Sequence, residues 1–336
     1  MNRRTFIATA AGACAGAAAG APYRSKMGIA VTSYMTFGRP KDTLQFLEYA
    51  NALGAGGIQM PLTSENREYA RKVRRRTEEL GLYFELIGGL PKDRDTSGFE
   101  QTVAAAQEAG ARCIRVNCLP GRRYEDFTSL AQWNEAVGRA HKTIDAAARI
   151  VEKQQIPLAI ENHKDWTADE FAALMRAKSG RWVGACLDTG NNIALLDDPM
   201  AVVEALAPFA VCTHLKDMGV EPYAGGFLLA EMPLGAGMLD LRRIVDTIQK
   251  ARPGTRLSLE MITRDPLKVP CLSDAYWTTF PERSGRYLAR TLRMVAEKRS
   301  ARPLPVVENL PRDVQLRQEE DNVKASLEYA QNRLGL

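Results

Sequence analysis

Four apolar runs in the second half of the chain end in residue types that ligate metals. They read Leu158-Ala-Ile-Glu161, Ala185-Cys-Leu-Asp188, Val211-Cys-Thr-His214 and Leu257-Ser-Leu-Glu260. Positions 161, 188 and 214 follow one another at about the length of one strand–helix unit, and position 260 lies a unit plus a long insertion further on. Any one of these residues alone reads as a polar group closing a strand. Four in register are expected to meet. Three carboxylates brought together in a dry pocket repel one another unless a counter-charge is supplied. A divalent cation supplies it, and three carboxylates with one imidazole make a mostly hard set. Such a set suits Mn²⁺, Mg²⁺ or Co²⁺ better than a structural Zn²⁺, with a catalytic Zn²⁺ the alternative.

Residues two positions on should lean the same way, because side chains alternate along a strand. His163 follows Glu161 and Lys216 follows His214 in this manner. His163 is expected to bond a substrate hydroxyl or relay a proton, or else to pack at a strand end. Lys216 is expected to stabilise a developing oxyanion, or to pair with Asp217 or Glu260. Arg115 and Asn117 close an earlier strand and are candidates to touch substrate, with an ion pair to Glu85 the alternative for Arg115.

These residues need elements to carry them. Strand-like runs at 28–33, 57–60, 83–87, 113–118, 157–161, 183–188, 211–215 and 257–261 alternate with helical patterns at 43–53, 65–80, 99–109, 133–153, 168–177, 200–206, 239–249 and 283–298. Glycines at 54, 81, 110 and 180 stand where helices would end. Eight strand–helix units with near-continuous apolar strands predict an α/β fold, a (β/α)8 TIM barrel over residues 22–300. An open doubly wound sheet would favour a glycine-rich loop after the first strand, and Ser33-Tyr34-Met35-Thr36 stands there instead. Residues 218–238 and 262–280 read as long loops at the end where barrel enzymes build their sites. Residues 301–336 read as a helical tail, with a helix over 312–334, packed on the barrel exterior or on a partner subunit of a homo-oligomer.

Composition is that of an ordinary globular chain: 336 residues, 45% hydrophobic and 25% charged. The net charge of +5 comes from 45 basic and 40 acidic residues that are interspersed. The basic run from Arg71 to Arg76 falls in a helical pattern and reads as a solvated face, so nucleic acid is not expected as a partner. Only three histidines occur, and the six cysteines form no CxxC pair. Cys113, Cys186 and Cys212 lie in apolar runs, where cysteine acts as a small hydrophobe.

Residues 1–21 carry Arg3-Arg4, Phe6 and a run of Ala and Gly, which reads as a twin-arginine signal peptide. Export or a periplasmic location is therefore expected, with no stable membrane span in the mature chain.

Taken together, residues 27–300 resemble the sugar phosphate isomerase/epimerase family, the xylose isomerase-like barrels. The matching pieces are Glu161-Asn-His163, Asp188-Thr-Gly-Asn191, His214-Leu-Lys216-Asp217, Pro233-Leu-Gly-Ala-Gly237 and Glu260. The resemblance implies that Glu161, Asp188, His214 and Glu260 hold a catalytic divalent metal and that the two glutamates flank a sugar and move protons. The chain departs from relatives at Ala236, where many carry glutamate, and at Asn191, where ketose epimerases carry histidine. Asn191 is accordingly a substrate-binding candidate, as are His163, Arg115, Asn117 and Trp277. Trp277, with Trp166, Tyr223 and Phe280, is expected to stack on a sugar ring or to pack within loops. The expected activity is isomerisation or epimerisation of a non-phosphorylated sugar or keto-sugar through an enediolate. The alternatives are a lyase or deglycosidase acting on a 3-keto-glycoside, and a sugar-binding protein without activity.

Overall fold

Eight parallel strands close on themselves in the computed structural model, which describes residues 25–92 and 95–336. The twin-arginine segment and Cys14 lie outside the described residues. The strands are β1 (Gly28–Ala30), β2 (Gly57–Met60), β3 (Tyr83–Ile87), β4 (Ile114–Val116), β5 (Leu158–Glu161), β6 (Val183–Asp188), β7 (Ala210–Leu215), β8 (Asp217–Tyr223), β9 (Gly226–Met232), β10 (Arg256–Leu259) and β11 (Leu267–Val269). Around the barrel the order is β1-β10-β7-β6-β5-β4-β3-β2, so β10 is the eighth stave. The outer ring includes α1 (Thr43–Ala52), α2 (Arg67–Leu80), α3 (Ser97–Glu108), α4 (Arg123–Asp126), α5 (Leu130–Gln154), α6 (Ala168–Lys178), α7 (Pro199–Leu206), α8 (Leu241–Ala251), α9 (Asp274–Trp277), α10 (Gly285–Glu297) and α11 (Arg312–Tyr329).

The strands are short and buried on both faces, which is why they read as apolar runs without alternation; all of β6 is buried. The helices are amphipathic. Helix α8 buries Leu241, Ile244, Val245 and Ile248, the spacing of one face. Asp198 followed by Pro199 starts α7, and Thr167 with Glu170 forms a capping box on α6. Gly81 ends α2 at φ +63°, a conformation cheap only for glycine. The expected glycine cap at 180 does not form: α6 stops at Lys178 and Ser179 is extended.

Register delivers the site. Strands β6 and β7 pair Asp188 with His214, and β5 pairs with β6 so that Glu161 lies opposite Cys186. A bulge between Ala185 and Cys186 shifts the pairing just before Asp188. Bulges of this kind re-aim side chains near functional sites.

The two expected loops hold a small sheet within them. Residues 217–232 form the antiparallel hairpin β8–β9, and β11 adds to its other edge, giving a three-stranded sheet in the order β11-β9-β8. Met218, Val220, Phe227, Leu229 and Val269 of this sheet pack with Tyr276, Phe280 and Val295 in a second apolar cluster. At the turn Gly226 has φ +147°, and a Cβ there would sit 2.2 Å from the Val269 carbonyl oxygen, so only glycine serves.

The tail packs on its own barrel. Val323, Leu327 and Leu334 join the main core, and the Glu319 carboxylate accepts the Phe37 and Gly38 amides at 3.1 and 2.5 Å. Asn322 donates to Thr263, and the Leu234 amide donates to Ser326. Cys113, Cys186 and Cys212 are buried with Ala159 inside the barrel, and the five described cysteines are free thiols. No described helix is long and apolar enough to cross a membrane.

Candidate metal centre

Glu161, Asp188, His214 and Glu260 each turn one ligand atom into a space in which those atoms lie within 4.8 Å of one another. Three are fully buried and Glu260 is 4% exposed. The His214 ring is held from both sides. Its Nε2–H donates to Gln59 Oε1 at 2.6 Å, and Gln59 Nε2 donates in turn to Glu85 Oε2 at 2.9 Å. That leaves Nδ1 facing Glu161 Oε1 at 3.2 Å, Glu260 Oε2 at 3.4 Å and Asp188 Oδ2 at 3.7 Å. An outer partner that fixes the tautomer of a metal-binding histidine is a general feature of such sites.

The carboxylates are oriented too. Asp188 Oδ1 accepts the amides of Gly190 and Asn191 at 2.8 and 2.7 Å, and Thr32 donates to Glu260 Oε1 at 2.7 Å. Asn191 donates to Glu161 Oε1 at 3.1 Å. The remaining oxygens Glu161 Oε2 and Asp188 Oδ2 are buried and accept no aligned hydrogen bond. Cations face them instead: Arg115 against Glu161 Oε2, and Lys216 at 3.1 Å from Asp188 Oδ2 and 2.6 Å from Glu260 Oε2. Buried carboxylate lone pairs short of hydrogen, beside an imidazole nitrogen aimed at the same space, fit a divalent ion.

The electrostatics follow from these contacts. Burial disfavours the Asp188 carboxylate, but Lys216 and His214 hold it below its ordinary range. Glu260 is held well below its range against the same burial by His214 and Lys216. Burial and the cations Lys164, Lys216 and Arg115 push the His163 ring down to about 3, so it is neutral.

The other expected residues are distributed as follows. Arg115 pairs with Glu161 and not with Glu85, whose carboxyl is taken by Gln59 and Ser258. Lys216 pairs with Glu260 and not with Asp217. The Asp217 carboxylate instead accepts the amides of Met218, Gly235, Gly237 and Leu239 at 2.9–3.0 Å, tying the His-Leu-Lys-Asp strand end to the Pro-Leu-Gly-Ala-Gly turn. His163 Nδ1 is 3.1 Å from the Gly121 carbonyl, which leaves Nε2 as an acceptor. Asn191 is buried between Glu161, Lys164 and Lys216. Asn117 is exposed beyond the end of β4. Trp277 donates to the Cys271 carbonyl at 2.9 Å and packs edge-on to Tyr276, as a loop-packing residue does.

Four contributors escaped the sequence reading. Gln59 on β2 and Thr32 in the 3-10 turn after β1 are single polar residues in apolar surroundings, with no motif to mark them. Lys164 follows the Glu-Asn-His piece directly, and Glu231 comes from β9, 3.7 Å from Lys216 and 2.7 Å from Arg264. The apolar run Phe227-Leu228-Leu229-Ala230 leading to Glu231, and Ala224-Gly225 ahead of it, were the available signals for that hairpin.

The family model for xylose isomerase-like TIM barrels matches residues 47–282. The chain belongs to that family. It is 27% identical over 244 residues to the 3-oxo-isoapionate decarboxylase of Pectobacterium atrosepticum, covering 68% of this chain and 82% of that protein. Among solved structures, D-psicose 3-epimerase in the presence of D-fructose superposes with a TM-score of 0.59 at 14% identity, over 92% of this chain and 99% of the other. A xylose isomerase-like TIM barrel protein from Mycobacterium smegmatis in complex with magnesium superposes at 0.53 and 16% identity, over 80% of this chain and 98% of the other. The chain is an enzyme of this family, which removes the inactive sugar-binding alternative.

Proposed function

We propose that this chain is a divalent-metal-dependent enzyme that moves a proton beside the carbonyl of a keto-sugar, giving epimerisation or isomerisation. The observation that carries the reading is the convergence of Glu161, Asp188, His214 and Glu260 on one buried space lined by carboxylate oxygens that accept no aligned hydrogen bond. A divalent ion held there would polarise the substrate carbonyl and offset the charge that appears as the proton leaves. The mostly hard donor set supports Mg²⁺, Mn²⁺ or Co²⁺, with Zn²⁺ the alternative; neighbours of the same fold hold magnesium in one case and zinc in another.

The chain's own residues do the rest. Glu161 and Glu260 both turn a carboxylate oxygen to the centre, and the one nearer the acidic C–H takes the proton. Lys216, on Glu260 and Asp188, donates to the oxygen that gains charge. His163, neutral with Nε2 open, orients a hydroxyl. The near-complete burial of Glu161, Lys216 and Glu260 excludes bulk water from the proton in transit.

A second reading is a lyase, favoured by the decarboxylase at 27% identity. Loss of carbon dioxide from a 3-oxo acid leaves the same negative charge beside the carbonyl; in a 3-keto-glycoside, removal of the proton beside the carbonyl forms that charge, which then expels the β-substituent with its bonding electron pair. Export through the twin-arginine segment supports non-phosphorylated substrates for either course.

Incubation of the metal-loaded chain with ketoses, 3-keto-glycosides and 3-oxo sugar acids, followed by NMR of the products, tests the reading. Epimers or isomers support proton transfer, elimination or carbon dioxide release selects the lyase, and no turnover of any class with metal bound overturns both.

A further inference from the structure

Three cations stand over the ligand set, and two of them are answered by carboxylates: Arg115 by Glu161, and Lys216 by Glu260 and Asp188. Lys164 is different. It is 3% exposed, and its Nζ donates to the neutral amide oxygen Asn191 Oδ1 at 2.5 Å. Among the described residues no carboxylate lies within 4.0 Å of it. Lys216 Nζ reaches the same Asn191 oxygen at 3.3 Å, so two ammonium groups converge on one uncharged acceptor. The nearby Glu231 is taken up by Arg264 at 2.7 Å. A divalent ion would offset two of the three ligand carboxylates, and Arg115 and Lys216 more than offset the third. When protonated, Lys164 is then positive charge without an internal counterpart, in a space where unpaired charge is expensive.

We propose that Lys164 receives a carboxylate carried by the substrate, which makes the substrate a sugar acid and not a neutral sugar. The proposal rests on the keto-sugar reading of the metal centre and narrows it. Burial, with Lys216 and Arg264 nearby, holds the Lys164 ammonium down to about 7, against the opposing pull of Glu231 and Asp188. An arriving carboxylate restores the proton, so binding above neutrality should take one up.

The test uses the full chain loaded with Mg²⁺ and unreactive probes of matched size: D-gluconate, the neutral D-glucitol, and D-glucose 6-phosphate. Calorimetry should give gluconate a Kd lower than that of glucitol by about tenfold or more, the range expected for a hydrogen bond to a charged group. Repeating it at pH 8 in two buffers should reveal proton uptake with gluconate alone. Lys164→Met should lose both effects while keeping its metal, and Lys164→Arg should keep the preference. Equal binding of gluconate and glucitol, or a preference unchanged in Lys164→Met, overturns the proposal. Tighter binding of the phosphate ester than of gluconate overturns it too, by assigning the cation to a phosphate. A chain that fails to hold a divalent ion would sink the metal reading instead, a failure that the metal assay separates from these.

Discussion

At the scale of single residues, the centre depends on how His214 is held as much as on the ligands themselves. Its Nε2–H is spent on Gln59 and its Nδ1 faces the carboxylates. His214→Ala should abolish binding of the ion. Gln59→Leu removes only the outer acceptor and should weaken metal affinity by about 10–100-fold, the usual cost of losing such a partner; a chelator-competition titration measures both, and unchanged affinity in Gln59→Leu would contradict the orienting role. Glu85, next along the chain of bonds, carries a pH signature. Burial raises its carboxyl to about 7 despite donors from Gln59 and Ser258. A raised carboxyl stabilises the fold fully below the ordinary value of 4.5, and that contribution is lost as pH rises through about 7. Glu85→Gln should therefore gain stability relative to the parent between pH 5 and 8 (about the window set by those values), seen as a Tm difference that grows with pH. A difference that stays flat across that range would contradict it. The four converging residues were legible because each ends an apolar run; Thr32, Gln59 and Lys164 were not, because their contacts exist only once distant strands are neighbours.

At the scale of elements, the barrel strands and helices were readable because their patterns are local: continuous apolar runs, amphipathic faces, and caps such as Asp198-Pro199. The sheet formed by β8, β9 and β11 was not, because β11 joins it from beyond β10 and because Gly225-Gly226 and Pro222 suggested irregular chain. This sheet supplies Glu231, and Asp217 anchors it to the barrel through four amides. Asp217→Ala leaves those donors without their acceptor and should destabilise the protein by about 2–4 kcal/mol, since buried unsatisfied groups cost ~1–3 kcal/mol each and water reaches some of them. Denaturant unfolding measures the loss, and the folded variant should keep its metal. A change below about 0.5 kcal/mol, the range of ordinary surface substitutions, would show that the turn holds itself.

At the scale of the whole molecule, residues 301–336 complete the barrel and do not hang from it. Helix α11 holds the chain after β1 through Glu319 and the turn after β9 through Ser326. The helix itself was legible in sequence, but its docking was not, because a surface helix with one apolar stripe fits a barrel or a partner equally well. The proposed export belongs to this scale as well. Changing Arg3 and Arg4 to Lys should leave folded precursor in the cytoplasm, measured by fractionation, and undiminished delivery would contradict a twin-arginine route. The central claim is that the buried centre transfers a proton through its own carboxylates. Turnover in heavy water tests it most directly, with the metal-loaded native chain and Glu260→Gln compared side by side. Deuterium should enter at the carbon beside the carbonyl, in product or recovered substrate. The variant keeps an oxygen for the metal but lacks the base, and its exchange should be slower by about 10²–10⁴. Turnover with no deuterium in any species, or full exchange in Glu260→Gln, would contradict the account.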